Sequence, residues 1–338
     1  MENTQMERVG IGLVGCGLFG QSHLMAYRAI RDAEVVAVFD IAQRTVEDTA
    51  REFGIPHVYS SIEQLCKDPA VEAVDVVTPE DVHLHPVITA LEHGKAVFVE
   101  KPFASSLEDC DAMIQAAEAQ NGILMVGHIL RFETRYALLK QEVESGGLGK
   151  VISMYARRNR PKSLLAKYGR SHPAIINAVH DIDLMLWYSG DRVYRVRGYT
   201  RNHSGGSNPD SFWGVLEFAG GTLGIVEVQW RLPDHAGVML DDTFQLVAEH
   251  GVGNLSLFPA SFSLWREDGF QIPDTHYDPR IRSSARGALR DELEYFCDCV
   301  RNHQRPQIVT PQEGRNAVSV ALALIQSANE GRDVEIEE

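Results

Sequence analysis

An apolar run, Val9 to Val14, breaks at Gly15-Cys16-Gly17-Leu18-Phe19-Gly20 and passes into a helical pattern. No other stretch limits the fold of the chain as strongly. The spacing predicts a buried strand that turns sharply into a helix. In such a turn the first glycine permits the bend, the second lets the backbone approach a pyrophosphate, and the third lets helix and strand pack closely. The N–H groups of the helix start then face the phosphates. Gly15, Gly17 and Gly20, with Leu18 and Phe19 between them, are therefore the first candidates for cofactor binding. Glycines so spaced also occur in ordinary tight turns, and the motif needs its context.

The next expected strand, Glu34 to Phe39, supplies that context, because it ends in Asp40 about twenty residues past the last glycine, where a ribose-binding carboxylate is expected. An Asp there accepts hydrogen bonds from ribose hydroxyls and repels a 2′-phosphate, which favours NAD over NADP. Arg44, four residues on, is a residue type that can accommodate such a phosphate, or it is a solvated helix residue. The lesser alternative for Asp40 is an ordinary strand-end or helix-capping carboxylate.

With 338 residues the chain has room for two domains that each bury a core. A formal net charge of −15 argues against a nucleic-acid groove. No run is apolar for long enough to cross a bilayer, and no leader pattern opens the sequence, so a soluble, cytoplasmic protein is expected. Five scattered cysteines, Cys16, Cys66, Cys110, Cys297 and Cys299, fit a reducing compartment better than a disulfide framework.

Helical and strand patterns alternate as far as Gly127, with strands expected at Val9 to Val14, Glu34 to Phe39, His57 to Tyr59, Ala73 to Val77, Ala96 to Val99 and Ile123 to Val126. Six strands interleaved with helices predict an α/β Rossmann domain, a doubly wound parallel sheet, over residues 1–127. Beyond it, successive short strands from Val151 to Trp265 predict a second, α+β domain over 128–338, with a large open and mainly antiparallel sheet. Its closing helices are expected near Gly287 to Arg301 and Pro311 to Asn329.

Ligands of doubly wound sheets bind beyond the carboxyl ends of the strands. Thr78-Pro79 with His83, and Glu100-Lys101-Pro102, stand at two such ends. Lys101 emerges from a buried strand and is followed by a fixed proline, a placement suited to acting on a substrate near a nicotinamide; it could also reach solvent or pair with Glu100. In the second domain His180-Asp181-Ile182-Asp183 opens an otherwise apolar helix. His180 and Asp183, three apart, can share a face, as a general base and the carboxylate that holds it require. Asp181 reads as a helix-dipole acid. The histidines and acids fall into no metal-ligand spacing, and no metal is expected.

The glycine turn, Asp40, Thr78-Pro79 with His83, Glu100-Lys101-Pro102, Gly147-Leu148-Gly149-Lys150 and His180-Asp181-Ile182-Asp183, in that order, resemble the Gfo/Idh/MocA family of NAD(P)-dependent oxidoreductases over essentially the whole chain. The stretch from Gly287 to Leu293 and the helix from Glu313 share the resemblance. It implies a substrate bound between the domains, a homodimer or homotetramer assembled through the open sheet, and oxidation of a secondary alcohol of a sugar or inositol-like polyol to a ketone. By the same resemblance Lys101 orients the hydroxyl and joins a proton relay, His180 is the base or its partner, and Asp183 holds the site together. Thr78, Pro79, His83, Glu100 and Lys101 join the expected cofactor contacts. Many members carry an Asp four residues before the His, where this chain has Ile176, with Asn177 next to it. Arg157, Tyr168, His172 and Asn177 join Lys101 and His180 as candidate substrate contacts. Two other activities fit the same residues: hydrolysis or elimination of a glycoside with retained NAD, and non-catalytic dinucleotide sensing.

Overall fold

The computed structural model describes residues 8–267, 269–282 and 284–337. The chain forms two compact units: one comprises the chain up to Glu133 together with Thr275–Arg315, the other Thr134–Asp274 and the chain from Asn316 onward.

In the first unit six strands, β1 (Val9–Val14), β2 (Ala33–Phe39), β3 (His57–Val58), β4 (Ala73–Val76), β5 (Ala96–Glu100) and β6 (Leu124–Gly127), form one parallel sheet in the order β3-β2-β1-β4-β5-β6. Every residue of β1, β4, β5 and β6 is buried, which explains why these segments read as apolar runs apart from Asp75 in β4 and Glu100 at the end of β5. The helices between them are α1 (Leu18–Tyr27), α2 (Gln43–Phe53), α3 (Ile62–Lys67), α4 (Leu84–Glu92) and α5 (Leu107–Ala119). Ser61 and Ser106 cap α3 and α5 by accepting backbone N–H bonds, and α2 stops where Gly54 turns left-handed. Chain order reverses between β1 and β4, the switch point at which ligands of such sheets bind.

The second unit opens with α6 (Thr134–Glu144), β7 (Val151–Pro161), the short α7 (Leu165–Tyr168) and α8 (Val179–Ser189). There follow β8 (Val193–Arg201), β9 (Ser211–Phe218), β10 (Leu223–Leu232), β11 (Asp241–Ala248) and β12 (Gly251–Ser256). These strands and Val334–Glu335 form a seven-stranded sheet in which only β7 and β10 run parallel. The expected hairpin joins β9 to β10, with Gly221 at positive φ in its turn. One face carries α8: a Cβ on Gly224 would lie 2.8 Å from the Met185 sulfur. The other face turns Leu223 and Ile225 outward.

Three local details depart from the periodicity. Ala174–Ala178 forms a π turn before α8. The strand expected at Phe262 to Trp265 is a small ribbon, Leu264–Arg266 paired with Gly269–Gln271, in which Trp265 packs edge-on against Phe270. A second ribbon pairs Arg280–Ile281 with Ser284–Ala285.

The chain closes with α9 (Ala288–Arg301) and α10 (Pro311–Glu330). Chain order alone places α9 in the second domain, yet it packs in the first unit. Leu289, Leu293, Phe296 and Val300 join Val9, Ile11, Phe98 and Met125 in one core. A parallel sheet needs cover on both faces, and α9 brings part of that cover from late in the chain.

Candidate active site

The three glycines of the first turn owe their places to different causes. Gly15 has φ +103°, and a Cβ there would lie 2.6 Å from the Val77 carbonyl oxygen; one on Gly20 would lie 2.1 Å from the Gly15 carbonyl oxygen. Both are demanded by the packing of the protein itself. Around Gly17 a Cβ would meet nothing within 4 Å. Gly17 is the N-cap of α1, no side chain caps the helix, and no acid stands in its first turn. The open space at Gly17 and the uncapped N–H groups of the first turn, with Leu18 and Phe19 exposed beside them, fit a pyrophosphate.

Asp40 clamps this turn as well as facing it. Its Oδ2 accepts the Cys16 N–H at 2.7 Å and its Oδ1 the Ala42 N–H at 2.8 Å. Each carboxylate oxygen keeps a lone pair, so ribose hydroxyls can still donate to it. Ile41, the next residue, is 95% exposed, an apolar surface where an adenosine bound at Asp40 would rest. The sequence signal for it was an apolar residue placed directly after a strand-end acid. Arg44 is exposed on α2, 3.8 Å from Asp48.

At the exit of β4, the Thr78 hydroxyl is buried without a hydrogen-bond partner, while Pro79 is exposed. A buried orphan hydroxyl beside the switch point is a second feature that suits a bound dinucleotide. His83 lies behind this loop. Its ring nitrogens stand 3.0 Å from the Thr78 carbonyl and 3.2 Å from the Phe103 carbonyl, so it ties the loop after β4 to the loop after β5. Burial lowers its pKa below the ordinary histidine value, while the two carbonyls pull in the other direction.

Glu100 also turns inward. Its Oε1 lies 3.3 Å from Nε2 of His23, and its Oε2 accepts the Lys101 backbone N–H at 3.1 Å. Gly127 makes room for it, since a Cβ there would lie 2.9 Å from Glu100 Oε1. The other nitrogen of His23 is 2.8 Å from Asp75. Burial alone would push the His23 imidazole down, but Asp75 and Glu100 outweigh it and raise its pKa to about 10. Lys101 stands half-buried at the strand exit. His23 and Asp75 were not foreseen as a pair. The available signal was an acid inside the buried run Ala73 to Val77, which demands a partner.

In the second unit His180 sits in the first turn of α8, and Asp183 is buried one turn on. Asp181, which the sequence suggested as a helix-dipole acid, is instead a buried ion-pair partner. Arg158 donates to it twice, at 2.9 and 2.8 Å, and once to Asp242 at 2.7 Å, while Arg160 also bonds Asp242. Burial raises the Asp181 pKa, with Arg158 opposing. This cluster anchors the start of α8 to β7 and β11.

The π turn carries Asn177, buried, with its Nδ2 unpartnered. Single π turns often mark functional sites. Just before it, His172 packs edge-on against Phe212 and accepts the Ala174 N–H at Nδ1. Burial lowers its pKa to about 4, so the ring is neutral with its proton on Nε2, which has no partner. Tyr168 stacks on Trp230 with ring centroids 6.0 Å apart. Arg157 lies elsewhere. Side chains alternate along β7, so Arg158 faces α8 while Arg157 projects from the opposite face of the sheet and pairs with Asp241 at 2.8 Å. His172, Asn177 and His180 thus belong to one continuous stretch, and Arg157 does not.

All five cysteines are buried and free, and burial pushes the Cys16 and Cys110 thiols up to about 12. Among the described residues no three His, Cys, Asp or Glu side chains gather as a metal ion requires, and no helix is long and apolar enough to cross a membrane.

A parallel sheet in this order, with an open glycine turn and a strand-end Asp, defines a dinucleotide-binding domain. Residues 9–128 match the model of the oxidoreductase family with an NAD-binding Rossmann fold, and residues 136–254 match the GFO/IDH/MocA C-terminal domain, together more than two thirds of the chain. The chain belongs to the GFO/IDH/MocA family of NAD-dependent oxidoreductases.

Among similar proteins, inositol 2-dehydrogenase 2 of Saccharopolyspora erythraea is 29% identical, covering 97% of this chain and 96% of its own. The scyllo-inositol 2-dehydrogenase (NAD(+)) of Bacillus subtilis is 27% identical, covering 96% of each. The crystal structure of scyllo-inositol dehydrogenase from Lactobacillus casei with bound NAD(H) and scyllo-inositol shares the fold, with a TM-score of 0.84 at 20% identity over 98% of this chain and 99% of that one.

Proposed function

We propose that this protein oxidises a secondary alcohol of an inositol or a related cyclic polyol or sugar to a ketone, with NAD as hydride acceptor. The observation that carries the reading is that full-length relatives bear the name inositol 2-dehydrogenase, in a chain that keeps Lys101 and His180 at a strand exit and a helix start. Bound NAD supplies the site that takes the hydride. The first-turn N–H groups of α1 hold its pyrophosphate, Asp40 accepts from its ribose, and Thr78 gives it a hydroxyl contact. Lys101 orients the reacting hydroxyl and stabilises the developing alkoxide. His180 takes the hydroxyl proton as general base, with Asp183 fixing its helix face. Asn177 Nδ2 and His172 Nε2, both N–H donors without an acceptor among the described residues, bind neighbouring oxygens of the polyol. Tyr168, partly buried on Trp230, borders the same stretch.

The test is absorbance at the reduced nicotinamide band with NAD, then NADP, across inositols, aldoses and sugar acids. Steady NADH formation with one cyclic polyol is the expected result. Product formed from a glycoside without net reduction of NAD would replace the reading with hydrolysis or elimination, and NADH formation from no member of the panel would remove the proposed substrate class.

A further inference from the structure

His23 is fully buried on α1, three residues after Gly20, with a carboxylate at each ring nitrogen: Asp75 of β4 at 2.8 Å and Glu100 of β5 at 3.3 Å. Asp75 hydrogen-bonds the ring at Nδ1, Glu100 faces Nε2 at ion-pair distance, and the doubly protonated ring is the form that both carboxylates favour. Glu100 then extends the connection outward, because its second oxygen accepts the backbone N–H of Lys101. Gly127, without a side chain, leaves the space that the Glu100 carboxylate occupies beside His23.

We infer that His23 is a positioning residue for Lys101, holding Glu100 in place and so tying the helix of the dinucleotide turn to the reacting end of β5. The inference rests on the proposed role of Lys101. Among the other groups that face this centre, His83 lies against Glu100 and Glu80 with a pKa that burial lowers, and Tyr27 of α1 and Cys297 of α9 face Asp75 with pKa values that burial raises. Glu292 of α9 faces Tyr27. His23, Asp75 and Glu100 form a chain of charged groups that ends at the Lys101 backbone.

The test uses the full chain with His23→Gln, Glu100→Gln and the double variant, followed by kcat, KM for NAD, and trace acetylation of Lys101 by acetic anhydride across pH, read by peptide mass spectrometry. Each single variant is expected to lower kcat roughly tenfold or more while KM for NAD stays within about threefold. Because His23 acts through Glu100, the double variant falls no further than the worse single one. Lys101 acetylation at pH 8 is expected to drop about threefold in His23→Gln, where two carboxylates lose their cation, and to rise in Glu100→Gln, where a carboxylate is removed.

Losses that multiply in the double variant, or acetylation profiles unchanged from the parent protein, would overturn the inference. General loosening of the fold moves both single variants in the same direction and also counts against it. If His23→Gln does not fold, Glu100→Gln carries the test, since it keeps the His23–Asp75 pair. Lys101→Ala separates the two claims: turnover preserved in that variant defeats the catalytic role of Lys101, while the acetylation shifts still report whether His23 and Glu100 control its surroundings.

Discussion

Asp40 does two jobs with one carboxylate. It accepts the Cys16 and Ala42 N–H groups, and by the proposed function its remaining lone pairs take the ribose hydroxyls of NAD. Asp40→Ala should therefore weaken NAD binding by about 1.5–3 kcal/mol, the worth of a hydrogen bond to a charged group, or roughly ten- to a hundredfold. Binding of NADP should improve relative to NAD, because the repulsion of the 2′-phosphate disappears. Fluorescence titration with NADH and NADPH checks both directions. His23 makes a separate prediction about pH. Its folded pKa of about 10 lies above the roughly 6.5 of an unfolded histidine. Its contribution is thus complete below about pH 6.5 and is lost as pH rises toward 10. Urea unfolding at pH 6.5 and pH 10 should show lower stability at the alkaline value, with a smaller difference in His23→Gln.

The first strand–turn–helix element separates structure from binding. Gly17→Ala places a methyl group in open space at an N-cap, where exchanging Gly for Ala costs about 1 kcal/mol, yet it occupies the phosphate cradle. It should lower the thermal midpoint only slightly and abolish measurable NAD binding. Gly20→Ala drives a methyl group into the Gly15 carbonyl and should cost about 1–3 kcal/mol of stability. Similar midpoints for the two variants would count against this division. At α8, Asp181→Asn removes one partner from a buried ion pair, a change that typically costs about 3–5 kcal/mol. Replacing both partners, Arg158→Met with Asp181→Leu, leaves the Arg160–Asp242 pair standing and should cost less than the single change in urea unfolding.

At the scale of the whole molecule, the outward face of the second sheet is the feature a lone chain leaves exposed. Leu223 and Ile225 project there beside Tyr155 and Glu227, which are bonded to each other at 2.9 Å. An apolar strand face of this kind suits contact between copies of the chain. Light scattering should give a dimer or tetramer, and Ile225→Arg should shift the population toward monomer. A monomer before mutation would remove this face as an interface.

The sequence by itself determined the features that depend on neighbours along the chain. The alternation of apolar runs with helical patterns, the glycine turn and the strand-end Asp40 are local signals, and the six-stranded parallel sheet followed from them. The motif order also carried the family. Tertiary structure decided whatever depends on partners far away. Asp75 and His23 are 52 positions apart, and only the sheet brings them together. Asp181 read as a helix-dipole acid until Arg158, 23 positions earlier, faced it across β7. Arg157 and Arg158 are adjacent in sequence, yet strand alternation sends them to opposite faces. The return of α9 to the first unit has the same cause, since an amphipathic stripe specifies that a helix will be buried and leaves open which sheet will bury it.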